Sequence, residues 1–257
     1  VKHENPQLVK VVIMQAAANR ALCDLSKASP AAAKTILGAG AIKSIKQQLD
    51  GTDDTVKEAG LDAVAVIAAQ SAAMAEAAMD NELLDKVVAI VASPSTPISL
   101  LESACTALDN VAAQTPALAQ QLLKAQVVPP LLAVLRNNRM CVPRLQTGAL
   151  RCICQIAHHE SLAAAAVADA GAVPVAMQFA ADDSNAAVRH AAAALLQQVA
   201  VRTARLSKEV ASEGCIVALM ESLQLDRGTA FAAAPVMALA HIAAFGSAFA
   251  QAVRSLC

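Results

Sequence analysis

The residues best equipped for chemistry fall close together: Cys152, Cys154, His158 and His159. Thiolates and imidazoles are the ligands of a structural zinc ion, which takes four of them in a tetrahedron. Cys154 and His158, four residues apart, would share one helix face, but Cys152 would point elsewhere. No second pair lies at ligand spacing, and Ile153 and Ile156 mark a buried stripe. The cysteines therefore read as core, and no metal or other cofactor is expected. Gly38-Ala39-Gly40 could be half of a phosphate cradle. A dinucleotide fingerprint needs a third glycine and a preceding strand, and both are missing. The same site returns as Gly171 and Gly214, as expected of helix punctuation. None of the histidines (His3, His158, His159, His190, His241) has a nucleophile and an acid at catalytic spacing. No catalytic residue is assigned, and the chain is not expected to be an enzyme.

The elements that carry these residues follow from a repeat. Leu25, Ile67, Val111, Ile156, Val199 and Ile242 recur every 42 to 45 residues, each with an apolar residue three positions earlier. That pairing is the buried stripe of a helix. Just after it, Ser29, Ser71, Thr115 and Thr203 stand where a hydroxyl can cap the free N–H groups of a new helix. Pro30 and Pro116 follow at the first helical position, where a missing N–H costs nothing. The short helix should end at Gly40, Gly171 or Gly214, and a second helix follows, as in "VVPPLLAVLRN" from Val127. Polar turns such as "DGTDD" at Asp50 then lead into a long third helix. Three helices in about 43 residues is the plan of an armadillo repeat. Because one repeat cannot bury its apolar face alone, neighbours must stack.

The expected fold is all-α: an armadillo-type right-handed α-solenoid of five to six three-helix repeats. The units are read as 29–70, 71–114, 115–159, 160–202 and 203–245, with partial repeats at 1–28 and 246–257, in a single array. At the start, Asn5-Pro6 resembles Ser29-Pro30, yet the two prolines are too close to hold a second helix between them. The spacing predicts a skipped segment between Met14 and Gln15.

Composition agrees with helices. Hydrophobic residues make up 56% and aromatics 2%, with no Trp or Tyr; a β-sandwich needs more aromatic and β-branched residues. A net charge of −1 argues against a nucleic-acid partner. Seven cysteines without a C-x-x-C pair suit free thiols in a reducing compartment. No signal-peptide pattern opens the sequence, and Val1 is not read as the natural start. Gly228–Val253 carries no Asp, Glu, Lys or Arg, but Pro235, His241, Gly246 and Gln251 argue against a membrane span. Pro143 and Pro235 should bend or delay their third helices.

The resemblance to armadillo arrays implies that the third helices line a groove. In nuclear-import relatives a Trp four residues before an Asn forms the peptide ladder there. At the Asn position this chain has Asp24, Val66, Asn110, Gln155, Gln198 and His241, and only Asn110 fits. The Trp position holds Arg20, Asp62, Thr106, Arg151, Ala194 and Met237. Charge offers a second signal. Val111–His159 has no acid but carries Lys124, Arg136, Arg139, Arg144 and Arg151, whereas 50–109 is strongly acidic. Ordinary solvated faces would explain this; the sharper reading is a basic surface meeting an acidic partner segment. The candidate partner-binding residues are Arg136, Arg139, Arg144, Arg151, Asn110, Gln155, Gln198 and His241.

The linking motif is more specific. "LSKASPAAAKTILGAGAI", "AAQTPALAQQLLKAQVVPPLLAVL" and "IAHHESLAAAAVADAGAVP" resemble the repeats of axonemal armadillo proteins, those of the sperm-associated antigen six type in the ciliary central apparatus or a shorter relative in the radial spokes. The resemblance implies a non-enzymatic scaffold needed for motility, in the cytoplasm and cytoskeleton of the cilium or flagellum, with other axonemal proteins as partners. The alternative is a soluble adaptor that binds peptide or cargo segments in its groove.

Overall fold

The computed structural model describes residues 6–137, 142–181, 184–211 and 213–244. Among these residues there are sixteen α-helices, one 3-10 turn and no strand. The chain divides into two compact units, Val1–Ala125 and Gln126–Cys257. The division falls inside the repeat placed at 115–159 from the sequence.

The first unit holds α1 (Pro6–Ala28), α2 (Pro30–Gly38), α3 (Ala41–Leu49), α4 (Asp54–Gln70), α5 (Ala72–Ala78), α6 (Asn81–Ala92), α7 (Ile98–Ala112) and α8 (Pro116–Lys124). The short helices begin at their hydroxyl caps. Ser29 Oγ accepts from the Ala32 N–H at 3.1 Å, Ser71 from Met74 at 3.3 Å and Thr115 from Leu118 at 3.2 Å. Asp53 and Asp80 cap α4 and α6 in the same way. The core forms where α4 packs against α1 on one side and α7 on the other. Leu61, Val64 and Ile67 on α4 and Leu101, Leu108 and Val111 on α7 are fully buried. Alanines such as Ala63, Ala104 and Ala107 let the helices approach closely. Each large aliphatic side chain so buried stabilises the fold by about 1.5–3 kcal/mol.

The second unit holds α9 (Val128–Arg136), α10 (Pro143–His159), α11 (Ser161–Asp169), α12 (Ala172–Ala180), α13 (Ala186–Ala200), α14 (Ala204–Val210), α15 (Glu213–Leu225), a 3-10 turn (Ala230–Ala232) and α16 (Ala233–Ala244). Here α13 is central, packed on α10, α12 and α16. Thr203 Oγ1 caps α14 through the Leu206 N–H at 3.2 Å. Pro143 starts α10 rather than bending it. Pro235 is buried in the first turn of α16, and the 3-10 turn precedes it, so this third helix starts late.

Helix α1 runs unbroken from Pro6 to Ala28, across the Met14–Gln15 step. One expectation needs correction. Gly214 is no left-handed stop, since it lies in the first turn of α15 and only Gly40, Gly171 and Gly228 are the described glycines at positive φ. Gln126, which the sequence does not single out, takes a left-handed turn at φ 57°. It stands as far from Thr115 as Gly40 (φ 83°) does from Ser29. A side chain there costs about 1 kcal/mol that glycine avoids.

Ion pairs add to each unit. Lys46 bridges Asp80 and Glu82, and Lys86 Nζ lies 2.5 Å from Asp50 Oδ1. Burial pushes the Asp80 carboxyl up, but the Lys46 ammonium and the Leu83 N–H more than reverse this, so it titrates below the usual range. In the second unit Arg189 and Asp226 form a bidentate pair at 2.6 and 3.1 Å, with the residues 5% and 2% exposed.

Candidate functional site

Most of the polar residues that the sequence nominates lie on the third helices, half-buried for the larger part, and much of that set holds the fold together. Asn110, the one match to the import ladder, donates from Nδ2 to the Ala65 carbonyl oxygen at 2.9 Å and so ties α7 to α4. Asp62, at a ladder Trp position, accepts from Ser103 Oγ at 2.7 Å across the same helix pair. Gln70 repeats the theme by donating to the Ser26 carbonyl at 3.3 Å. The acidic stretch is also partly neutralised within its own unit, by the Lys46 and Lys86 pairs described above.

In the second unit, Gln198 Oε1 and His158 Nδ1 lie 3.1 Å apart, joining α13 to α10. Arg136 is exposed at the end of α9 and donates from Nη2 to the Gly171 carbonyl at 3.2 Å. A Cβ at Gly171 would sit 2.9 Å from that same Nη2, which an exposed arginine can yield, so it is the left-handed turn at φ 86° that calls for glycine. Arg144 is exposed on the first turn of α10, and His241 is half-buried on α16. Arg139 lies outside the described residues.

The structure does bring Arg151 and Gln155 together. Both line a cleft of about 330 Å³ over α10 and α13, with Thr147, Cys154, His190 and Phe231 around it. Its floor is Ala187, Ala191 and Ala194, and no Asp or Glu lines it. His190 Nδ1 lies 3.2 Å from the Phe231 carbonyl oxygen, and the two rings meet edge to face at 5.5 Å. His190 and Phe231 sit 41 residues apart and match no motif, so only the repeat spacing hints that they meet. The arrangement offers a cation, amide and hydroxyl groups and one aromatic face above small apolar side chains. That is the equipment for holding a short segment of chain, with its polar groups fixed by few contacts.

The thiols are core residues for the most part. Cys23, Cys105, Cys152 and Cys215 are buried and Cys154 is half-buried, all as free cysteines. Burial, with Asp109 and Glu102 nearby, pushes the Cys105 thiol up to about 12. Such a thiol is neutral and inert at physiological pH. Among the described residues no three His, Cys, Asp or Glu side chains come together at metal-binding distance. No single helix among them is long and apolar enough to cross a membrane.

No family model and no curated protein matches the sequence. Solved structures do. An engineered protein aligns over 94% of this chain and 94% of its own, at 23% identity and TM-score 0.82. A designed armadillo repeat protein aligns over 94% of this chain and 96% of its own, at 21% identity and TM-score 0.80. A second designed armadillo repeat protein, in complex with the peptide (KR)4, aligns over 90% of this chain and 98% of its own, at 19% identity and TM-score 0.80. The fold is therefore the armadillo-type α-solenoid that the repeat spacing predicts.

Proposed function

We propose that this armadillo-type chain is a non-enzymatic interaction scaffold that seats a segment of another protein in the cleft over α10 and α13. The observation that carries the reading is the cleft's lining: Arg151, Gln155, Thr147 and His190 above an alanine floor, without an acid. Peptide binding by a designed protein of this fold supports a peptide as the class of ligand. The charge here differs from what a Lys/Arg peptide needs, because Arg151 would repel it. The segment that fits is acidic, with a carboxylate toward Arg151 and its backbone toward Gln155. Arg144, exposed on the same helix, extends the basic character toward the start of α10.

The test is fluorescence anisotropy of the full chain with a labelled Glu-rich decapeptide and with (KR)4. The acidic peptide should bind and (KR)4 should not, and Arg151→Glu should reverse the order. Equal affinity for both peptides, or no change with Arg151→Glu, refutes the reading.

The setting we propose for this scaffold is the ciliary or flagellar axoneme, in the radial spokes or central apparatus. The support is the recurring Ser/Thr-Pro-x-x-Ala motif at Ser29 and Thr115 and its likeness to axonemal armadillo repeats. A tagged chain should stay with axonemes after detergent extraction and co-purify with axonemal proteins. Full release by detergent leaves the soluble adaptor, which the same cleft would serve.

A further inference from the structure

Four Ser-Pro or Thr-Pro steps occur in the chain, at Ser29, Ser93, Thr96 and Thr115. A proline-directed kinase takes such a step with the acceptor extended, the conformation that a following proline favours. The structure separates the four. Ser29 and Thr115 cap α2 and α8 with their hydroxyls, and their prolines already lie in those helices. Thr96 donates its hydroxyl to the Ile90 carbonyl at 2.8 Å, and Pro97 leads straight into α7. Ser93 differs. It closes α6 with an extended backbone (φ −77°, ψ 122°), and its Oγ lies 3.0 Å from that of Ser95 in the same turn. Pro94 is exposed and begins a turn rather than a helix.

We propose that Ser93 is a phosphorylation site, and that Lys57 and Lys86 receive its phosphate. Ser93 lines a cleft of about 380 Å³ bordered by α3, α4, α6 and α7, and the charged groups around it are Lys57, Lys86, Asp50 and Asp54. Lys86 Nζ lies 2.5 Å from Asp50 Oδ1 and 3.9 Å from Glu82 Oε1. Lys57 Nζ lies 4.0 Å from Asp54 Oδ1, the outer limit of an ion pair. A phosphate monoester brings about −1.5 to −2 charges and three strong acceptor oxygens, so it competes well with a single carboxylate for both ammoniums. The last carbonyls of α6 carry the negative end of the helix dipole and turn the phosphate away from them. The start of α7, which has no side-chain cap, borders the same cleft through Pro97 and Leu100. In the transfer, Ser93 Oγ bonds to the γ-phosphorus of ATP held by the kinase, as the bond from that phosphorus to the β–γ bridging oxygen breaks. ADP leaves with the electron pair, and the hydroxyl proton passes to the kinase's catalytic carboxylate. This site lies in the first unit and the peptide cleft in the second, so each reading stands or falls without the other.

The experiment treats the full chain with a mitogen-activated protein kinase and Mg-ATP and maps the phosphate by tandem mass spectrometry. Ser93 should be labelled first. Ser29, Thr96 and Thr115 should lag by at least about tenfold, because their helices must open before a kinase can take them. Pro94→Ala should abolish the labelling of Ser93. In phosphorus-31 NMR the phosphoserine should titrate below its ordinary value of about 6, since the two ammoniums outweigh Asp50 and Asp54 around a dianion. Lys57→Gln should move that titration part of the way back, and Lys57→Gln with Lys86→Gln the whole way, with far-UV circular dichroism showing the fold intact. No label on Ser93, or faster labelling at another of the four steps, overturns the site. A titration at or above about 6 in the native chain, or one that neither lysine variant moves, overturns the receiving lysines.

Discussion

The buried Arg189–Asp226 pair makes the strongest demand on the second unit, and Asp226→Ala tests it. Both residues are nearly inaccessible, and two charge-assisted bonds of 2.6 and 3.1 Å join the guanidinium on α13 to a carboxylate just past α15. Removing the carboxylate takes two charge-assisted bonds from a guanidinium held among buried side chains such as Val188 and Ala192. The cost of breaking such a pair is about 3–5 kcal/mol. With a urea slope of about 2 kcal/mol/M, the midpoint should fall by about 2 M. Replacing both partners, Arg189→Met with Asp226→Leu, removes both charges together and should return stability to near the wild type. The absence of Trp and Tyr makes far-UV circular dichroism the practical probe. Hydrogen exchange in α13 and α15 would place the loss in the second unit. High salt should leave the effect intact, because screening acts weakly on buried pairs. The reasoning fails if Asp226→Ala costs less than about 1 kcal/mol, or if the double variant is no more stable than the single one.

Four further outcomes follow from the same geometry. Gln126→Gly should raise stability by about 0.5–1 kcal/mol in urea titration, since it relieves a left-handed side chain; a loss would show that Gln126 makes a contact worth more than the strain. Thr115→Ala removes the cap of α8 and should cost about 1 kcal/mol, with faster exchange at the Leu118 amide as the local signature. Cys105 should resist alkylation in the folded protein at pH 8 and react once urea is added. Its raised pKa stabilises the fold below the unfolded value of 9.0 and that contribution is lost as pH rises toward about 12, so Cys105→Ala should flatten the alkaline limb of stability. The depressed Asp80 carboxyl works at the other end: its contribution is present above the unfolded value of 3.8 and vanishes as pH falls through the folded one, so Lys46→Ala should make the acid limb less steep.

The parts of this fold that could be read from the sequence are those set by neighbouring residues. Ser29, Ser71, Thr115 and Thr203 cap helices because a hydroxyl reaches an N–H three residues on, and that distance is written in the chain. Gly40 and Gly171 follow the same logic. Gln126 escaped because its left-handed turn is imposed by the helices on either side, against its own preference. The Arg189–Asp226 pair joins residues 37 apart, and nothing in either neighbourhood marks them. The position of Asn110 marks it as a ladder residue but not as a brace, since that depends on where the Ala65 carbonyl ends up. The cleft was half legible: Arg151 and Gln155 stood out by position, while His190 and Phe231 meet only through the stacking of α13 and the late start of α16.

The hydroxyl caps have a consequence for ancestry. Ser71 and Thr115 end one repeat and begin the next with the same chemistry, and each satisfies its new helix within three residues. A genetic exchange that cut at one such junction and rejoined at another would produce a chain with one repeat more or fewer. Its new joint would already carry a working cap. Lineages built from such parts can lengthen or shorten by whole repeats without first evolving a way to start a helix.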